Sequence, residues 1–490
     1  MSKQSSTHCP QEQAGIRHGR SVVDQVILLT QDFEDSFSAK KKAGAAFVDL
    51  TAAYDTAWHR GFTCKLLRLL PDRHMVHMIM EMVSNRSFTL TTGNGQRSRL
   101  RRLKNGVPQG SVLAPLLFNI YTSDLPATIS RKYAYADDLA IMHADGDWLA
   151  VEGMLSKDMA ILGEYLQTWK LKLSTTKTVS AVFHLNNKEA KRELKVNFNN
   201  ETLPFCSEPK YLGVTLDRSL TYLRHLESLR KKLTSRVTFL RCLAGSGWGA
   251  GATTLRTATL ALVHSTAEYC APVWCRSAHT HLIDPTNDAL RIVTGCLRPT
   301  PADNLIILAG IQPAELRHRG ATQSLGRHAM EPGHLLHSAP TRTSGTAARR
   351  LESRHPFVPV AQQLISFSDN NNIRAAQWAD HQWNAEWADN PTRLRTLIPD
   401  TGTHKPGMTL PKRALVRLNR LRTGVGRYDP ASTNGVWSPL RPVSVVQNKP
   451  STMSSSTVQS IDPPTDYTAH CLTVLDDETT EWLLNTCPDI

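Results

Sequence analysis

The sequence predicts an α+β domain followed by a largely helical region. Over roughly residues 1–217, short apolar runs that read as strands alternate with stretches of helical periodicity. From about residue 218 to 330 the pattern is helical, with basic residues on the exposed positions. Residues 331–355 are rich in Pro, Ser, Thr, Gly and Arg and read as a linker. Residues 356–427 read as a helical basic region, and 428–490 as a largely disordered tail ending in a short helix.

Composition narrows the partners. The chain has 490 residues, 40% hydrophobic and 20% charged, which suits several domains with sizeable cores. Lys and Arg number 57 against 43 Asp and Glu, a net charge of +14. That excess favours a polyanionic partner, nucleic acid first. The nine cysteines include no Cys-x-x-Cys pair, so they suit free thiols better than a disulfide framework or a zinc site. No secretory signal opens the chain, and the most apolar long segment, 255–274, holds Arg256, His264 and Glu268, so it reads as a buried helix and no membrane partner is expected.

In chain order, Ser21 and Asp24 form a capping box ahead of Val22, Val26, Leu29, Phe33 and Phe37 at helical spacing. The run 45–50 reads as a buried strand holding Asp49, and an ionised acid there needs a partner or a metal. Tyr54, Asp55 and Trp58 follow. Two helices broken at Pro71 occupy 61–84. A hairpin over 87–103 turns at Gly93-Asn94-Gly95. Its second strand places Arg97, Arg99 and Arg101 on one face. Such a row suits a phosphate-rich ligand and equally an edge strand guarded by charge. The loop 105–111, with Gln109 and Gly110, feeds a helix that begins near Leu113.

Residues 131–143 surround Asp137 and Asp138 with aromatic and apolar positions. They read as strand, tight turn holding both acids, and strand. Adjacent carboxylates repel unless a cation lies between them, and Mg²⁺ prefers hard oxygen ligands. Taken alone, such a turn is more often a solvated loop. An amphipathic helix follows through 151–169, then 171–178 with Lys177, a strand at 180–184, and a hairpin over 194–205 turning at Asn199-Asn200. Residues 209–217, with Tyr211, Leu212 and Gly213, read as another strand. The helix 223–243 carries Arg230, Lys231 and Lys232.

Together these stretches resemble the reverse transcriptase of jockey-like non-LTR retrotransposons, over roughly 11–330 and more weakly over 405–427. Phe47-Val48-Asp49-Leu50 with Tyr54-Asp55 is similar to the first catalytic motif of that family, and residues 105–121 to the second. Tyr135-Ala136-Asp137-Asp138 is similar to the third, 173–178 to the fourth, and Tyr211-Leu212-Gly213 to the fifth, the primer grip. Residues 12–21, Glu12 to Ser21, resemble the block ahead of them.

The resemblance implies a right-hand polymerase, with fingers and palm over 1–217 and thumb over 218–330. It implies an RNA-directed DNA polymerase working on an RNA template, a DNA primer and deoxynucleoside triphosphates. Asp49, Asp137 and Asp138 would be catalytic and would hold two Mg²⁺ ions, or Mn²⁺. Tyr54 would be the steric gate against a 2′-hydroxyl, Gln109 and Gly110 would contact the nucleotide, and Lys177 would approach the triphosphate. Arg97, Arg99, Arg101, Arg230, Lys231 and Lys232 would hold nucleic acid. The chain begins where relatives are already within the fingers and lacks their endonuclease and Cys/His knuckle, so a truncated copy is expected. Its setting would be the nucleus in preference to the cytoplasm. The competing expectations are an inactive nucleic-acid-binding remnant and a protein-interaction scaffold on 356–490.

Overall fold

In the computed structural model, the described residues are 12–189, 191–245, 249–337, 357–358, 362–363, 375–402, 407–425, 475 and 477–485. The expected linker after 337 and most of the tail beyond 425 lie outside them. The chain divides into two compact units. One comprises 1–225, 272–279 and 325–369, and the other 226–271, 280–324 and 370–490.

The first unit is built on an antiparallel four-stranded sheet, in the order β4-β5-β1-β6. Its strands are β1 (Lys42–Val48), β4 (Arg131–Tyr135), β5 (Asp138–Asp145) and β6 (Val179–Phe183). The apolar run of β1 is buried because it pairs on both edges, with Phe47 opposite Ala140 and Val179. Side chains alternate between the faces. On one face, Phe47 and Phe183 meet helix α1 (Val22–Ser38), where Phe33 stacks on Phe183 at 3.8 Å. On the other, Ala46, Val48, Leu139 and Ile141 join one core with Leu155, Met159 and Leu162 of helix α6 (Trp148–Thr168).

Local chemistry sets the ends of these elements. Ser21 and Asp24 cap α1 reciprocally: the Asp24 N–H donates to Ser21 Oγ (3.2 Å) and the Ser21 N–H to Asp24 Oδ2 (2.6 Å). Between β1 and β4 run α2 (Ala53–Thr56), α3 (His59–Leu69), α4 (Arg73–Val83), a small hairpin of β2 (Ser87–Phe88) and β3 (Arg101–Arg102), and α5 (Ala114–Tyr121). Pro71 separates α3 from α4, and Pro115 lies in the first turn of α5. After β6, β7 (Asn197–Phe198) and β8 (Glu201–Thr202) turn on Asn199 and Asn200, whose φ angles are +51° and +65°. The segment expected as one strand over 209–217 is instead a hairpin of β9 (Lys210–Tyr211) and β10 (Val214–Thr215). Leu212 and Gly213 form its turn with φ of +46° and +85°; the glycine takes the left-handed conformation at no steric cost, so the chain reverses there.

The second unit is helical. It contains most of α7 (Leu223–Leu243), then α8 (Ala252–Ala258), α9 (Ser265–Ala267), α11 (Pro285–Thr294) and α12 (Ala302–Ala309). α10 (Ala271–Trp274) and α13 (Ala314–Ala329) straddle the division, and α14 (Ala375–Ala388), α15 (Arg393–Leu397), α16 (Lys412–Thr423) and α17 (Asp477–Asn485) complete the unit. A π-helical stretch, Thr259–His264, carries α8 into α9, and the apolar segment 255–274 is broken only beyond Ala267, where Cys270 takes φ +53° before α10. No described helix is long and apolar enough to cross a membrane. Trp383 and Trp387 of α14, Leu394 and Leu397 of α15 and Leu415 of α16 are buried in one core with Leu255, Leu290 and Leu305 of the earlier helices. The basic stretch at 412–423 is only partly a surface feature. Arg417 and Arg422 are buried, and Arg417 donates to the Leu483 and Leu484 carbonyls of α17.

Candidate active site

β1 ends at Val48, so Asp49 stands half-buried just past the strand and not within it. Residues 172–178 are bound alongside. The Ser174 N–H donates to the Asp49 carbonyl (2.8 Å), the Thr51 N–H to the Lys172 carbonyl (2.8 Å), and the Asp49 N–H to Thr178 Oγ1 (3.2 Å). This clamp brings the exposed Lys177 Nζ to 3.7 Å from Asp49 Oδ2.

The β4–β5 reversal differs by one position from the expected turn. Tyr135 pairs with Asp138, so the two loop residues are Ala136 and Asp137, and Asp138 opens β5. A one-residue change of register reverses the face of every side chain, so the two acids differ in setting. Asp137 is half-buried and Asp138 is exposed. Ala136 adopts φ +57°, a left-handed conformation rare for a residue with a β-carbon.

Gln13 is seated beneath this turn and is fully buried. Its Oε1 accepts the Ala136 N–H (2.9 Å) and the Gly15 N–H (2.9 Å), and its Nε2 donates to the Ala136 carbonyl (3.2 Å). A β-carbon at Gly15 would stand 2.3 Å from the Ala136 nitrogen, so only glycine allows this approach. The chain from 12 to 14 runs beside β4, with the Ala14 N–H donating to the Ala134 carbonyl (2.8 Å). Gln13 and Gly15 carry no signal by composition or spacing; their place in the block 12–21 was the only indication.

The electrostatics single out the three acids. The buried acids of the first unit, by contrast, have protein partners. Asp32 accepts from Arg131 and from the Tyr133 hydroxyl, and Asp158 from the N–H groups of Ile129 (3.0 Å) and Ser130 (2.9 Å). Among the described residues, the Asp137 and Asp138 side chains accept no hydrogen bond, and the only ion pair of Asp49 is with Lys177. Although Asp138 is exposed as a residue, its carboxyl is pushed up to about 6, first by desolvation and then by repulsion from Asp137 and Asp49. The Tyr54 hydroxyl is also raised, first by desolvation and then by Asp137. Asp138 therefore lies in the field of both Asp137 and Asp49, and Tyr54 in that of Asp137. Their hard oxygens suit a divalent cation such as Mg²⁺. Among the described residues, however, no group of three such side chains is gathered closely enough to enclose a metal ion.

Around the acids, the Tyr54 ring lies on Phe118 of α5 at 4.6 Å and 18°. Gly106 packs on Asp55, where a β-carbon would stand 2.7 Å from the carbonyl oxygen, and the Val107 N–H donates to the Tyr54 carbonyl (2.8 Å). The loop 105–111 is thus fastened to Tyr54, while Gln109 and Gly110 are exposed at its outer edge. Tyr211 is buried, and its hydroxyl donates to the Tyr133 carbonyl of β4 (3.0 Å). Leu212 and Gly213 follow in the tight turn. Arg97, Arg99 and Arg101 are exposed, but only Arg101 lies in a strand, so the expected continuous strand face is interrupted. Arg230, Lys231 and Lys232 are exposed on α7, while Leu226, Leu229, Leu233 and Val237 are buried.

Residues 1–216 match the reverse transcriptase (RNA-dependent DNA polymerase) family. The probable RNA-directed DNA polymerase from transposon BS of Drosophila melanogaster is 29% identical over 353 residues, covering 68% of this chain and 38% of that protein. The RNA-directed DNA polymerase from mobile element jockey of Drosophila funebris is 30% identical over 244 residues, covering 48% of this chain and 26% of that protein. The chain thus spans well under half the length of these relatives. A solved structure of telomerase from Candida albicans, with a fragment of telomeric RNA, aligns over 72% of this chain and 54% of that chain. At a TM-score of 0.32 and 13% identity, that likeness carries no detail of the fold.

Proposed function

Starting from the premise that residues 1–216 are a reverse transcriptase domain related to those of jockey-like non-LTR retrotransposons, we propose that this chain is an RNA-directed DNA polymerase that extends a DNA primer on an RNA template. The observation that carries this reading is the trio Asp49, Asp137 and Asp138. Asp137 and Asp49 disfavour the ionised form of Asp138, and, Lys177 apart, the three side chains have no hydrogen-bond or ion-pair partner among the described residues. An acid cluster that destabilises itself persists where a cation or a reacting group completes it.

Asp49 and Asp137, with Asp138 beside them, would hold two Mg²⁺ ions. When bound, such ions lower the charge on the attacking and leaving oxygens of nucleotidyl transfer. The chain's own residues orient the reactants. The Tyr54 ring, braced on Phe118, would press against the sugar and exclude a 2′-hydroxyl. Gln109 and Gly110, on the open rim of the 105–111 loop, would meet the incoming nucleotide, and Lys177 would offset triphosphate charge. The β9–β10 hairpin, tied to β4 through Tyr211, would grip the primer end at Leu212 and Gly213. In the right-hand arrangement, residues 1–217 would be fingers and palm and 218–330 the thumb. Arg230, Lys231 and Lys232 of α7 would then meet phosphates, as would Arg97, Arg99 and Arg101. Its working compartment would be the nucleus.

Primer extension on an RNA template, with Mg²⁺ and then Mn²⁺, tests the reading. The wild-type chain should add deoxynucleotides, and Asp137→Asn should abolish extension while leaving duplex affinity intact. A wild-type chain that binds the duplex and adds no nucleotide with either metal would overturn the polymerase reading and leave a binding protein.

A further inference from the structure

We propose that Gln13 is the positioning residue of the acidic turn: its carboxamide holds both backbone polar groups of Ala136 and thereby fixes where Asp137 and Asp138 present their carboxylates. The proposal rests on the polymerase reading for its catalytic consequence, but its structural part stands on the described contacts.

A two-residue β-turn normally holds itself through the hydrogen bonds of the flanking pair, here Tyr135 and Asp138. This turn has two features that work against it. Ala136 is left-handed at φ +57° without being glycine. The next two residues are acids, with a third acid, Asp49, in their field. Left to itself, such a turn would open and separate the charges. The Gln13 side chain opposes that movement. One amide group accepts the Ala136 N–H at 2.9 Å and donates to the Ala136 carbonyl at 3.2 Å. It can do so because a primary amide offers an acceptor and a donor side by side, the same pair that a peptide edge offers.

Gln13 is itself held. Its Oε1 also accepts the Gly15 N–H at 2.9 Å, and its carbonyl accepts from Arg20 at 3.0 Å and Arg17 at 3.2 Å. The Gly15 carbonyl in turn accepts from Asn119 Nδ2 of α5 at 2.7 Å. The turn is therefore tied through one buried amide to the chain beside β4 and to the helix that carries Phe118, the support of Tyr54. Gln13 is fully buried, so it acts through Ala136.

The full chain tests this with Gln13→Met, which keeps length and apolar packing and removes every amide hydrogen bond, and with Gln13→Glu, which keeps the acceptor and loses the donor. Three readouts are compared with wild type: hydrogen exchange of the Ala136 amide, affinity for Mn²⁺ alone, and kcat against KM in primer extension. In Gln13→Met, Ala136 exchange should quicken and Mn²⁺ affinity weaken by about tenfold each, the worth of roughly one hydrogen bond to each group. Exchange at Ile141 and Met142 of β5 should be unchanged, and kcat should fall about tenfold or more with KM for the nucleotide little changed. Gln13→Glu should keep the Ala136 amide protected and lie between the two in Mn²⁺ affinity, which keeps the proposal decidable if Gln13→Met does not fold. Wild-type exchange and Mn²⁺ affinity in Gln13→Met, or a uniform loss of protection across β5, would overturn it. If the wild-type chain extends no primer, the polymerase reading fails, while the exchange and Mn²⁺ measurements still decide the role of Gln13.

Discussion

Replacing Gly15 with Ala tests how tightly the acidic turn is seated. The new β-carbon would stand 2.3 Å from the Ala136 nitrogen and 3.0 Å from the Tyr135 carbonyl carbon, where ordinary contact begins at 3.4 Å. Both obstacles are backbone atoms, so no side-chain rotation relieves the clash, and one segment must retreat by about 1 Å. Gly15 is tied at both of its polar groups, through its N–H to Gln13 and through its carbonyl to Asn119. Much of the movement therefore falls on the turn that carries Asp137. A misplacement of about 1 Å costs on the order of 100-fold in rate. Overpacking costs about 1–3 kcal/mol in stability, or several degrees in Tm at roughly 2–4 °C per kcal/mol. Single-turnover primer extension on an RNA template, with duplex affinity and thermal melting measured in parallel, should show the rate down about 100-fold and duplex Kd changed by less than about threefold. A folded Gly15→Ala protein that extends primers at the wild-type rate would refute the claim that this contact sets the position of the acids.

Tyr54→Ala should raise ribonucleotide incorporation relative to deoxyribonucleotide by about tenfold or more, measured as a ratio of kcat/KM values; an unchanged ratio in an active enzyme would leave Tyr54 a packing residue on Phe118. Replacing Arg230, Lys231 and Lys232 together with Ala should weaken duplex binding and flatten its salt dependence, by up to about one unit of log–log slope per lost phosphate contact. An unaltered slope would remove α7 from the binding surface. Lys65 is buried among Trp169, Tyr121 and Tyr165, its Nζ 3.7 Å from the Trp169 ring centroid, and burial lowers its pKa from 10.5 to about 8. The folded state then binds fewer protons than the unfolded state between those values, so stability rises with pH across that window. Relative to Lys65→Met, the wild-type protein should gain up to about 3 kcal/mol between pH 7 and 10.5, read from urea midpoints. A constant difference would show that Lys65 titrates normally.

Much of this protein is readable from sequence wherever the determining interactions are local. The Ser21–Asp24 capping box, the break at Pro71, the Asn199-Asn200 turn and the amphipathic stripe of α6 each depend on residues a few positions apart, and each occurs where the sequence places it. The order of the motifs was also enough to name the reverse transcriptase family for residues 1–216. What sequence spacing left open is decided by contacts between residues far apart in the chain. The turn at Ala136 and Asp137, one position from the expected one, follows from the pairing of Tyr135 with Asp138 and from Gln13, 123 residues away. Leu212-Gly213 reverses a segment that reads as one strand, because alternation does not reveal a turn of two residues. Arg417 and Arg422 read as surface charge in a basic run, yet they are buried, because the carbonyls at the end of α17 that receive Arg417 belong to a segment 66 residues on. Sequence supplied which side chains could do the chemistry. Only the folded chain decided which of them share one field, because repulsion among Asp49, Asp137 and Asp138 depends on distance in space and not along the chain.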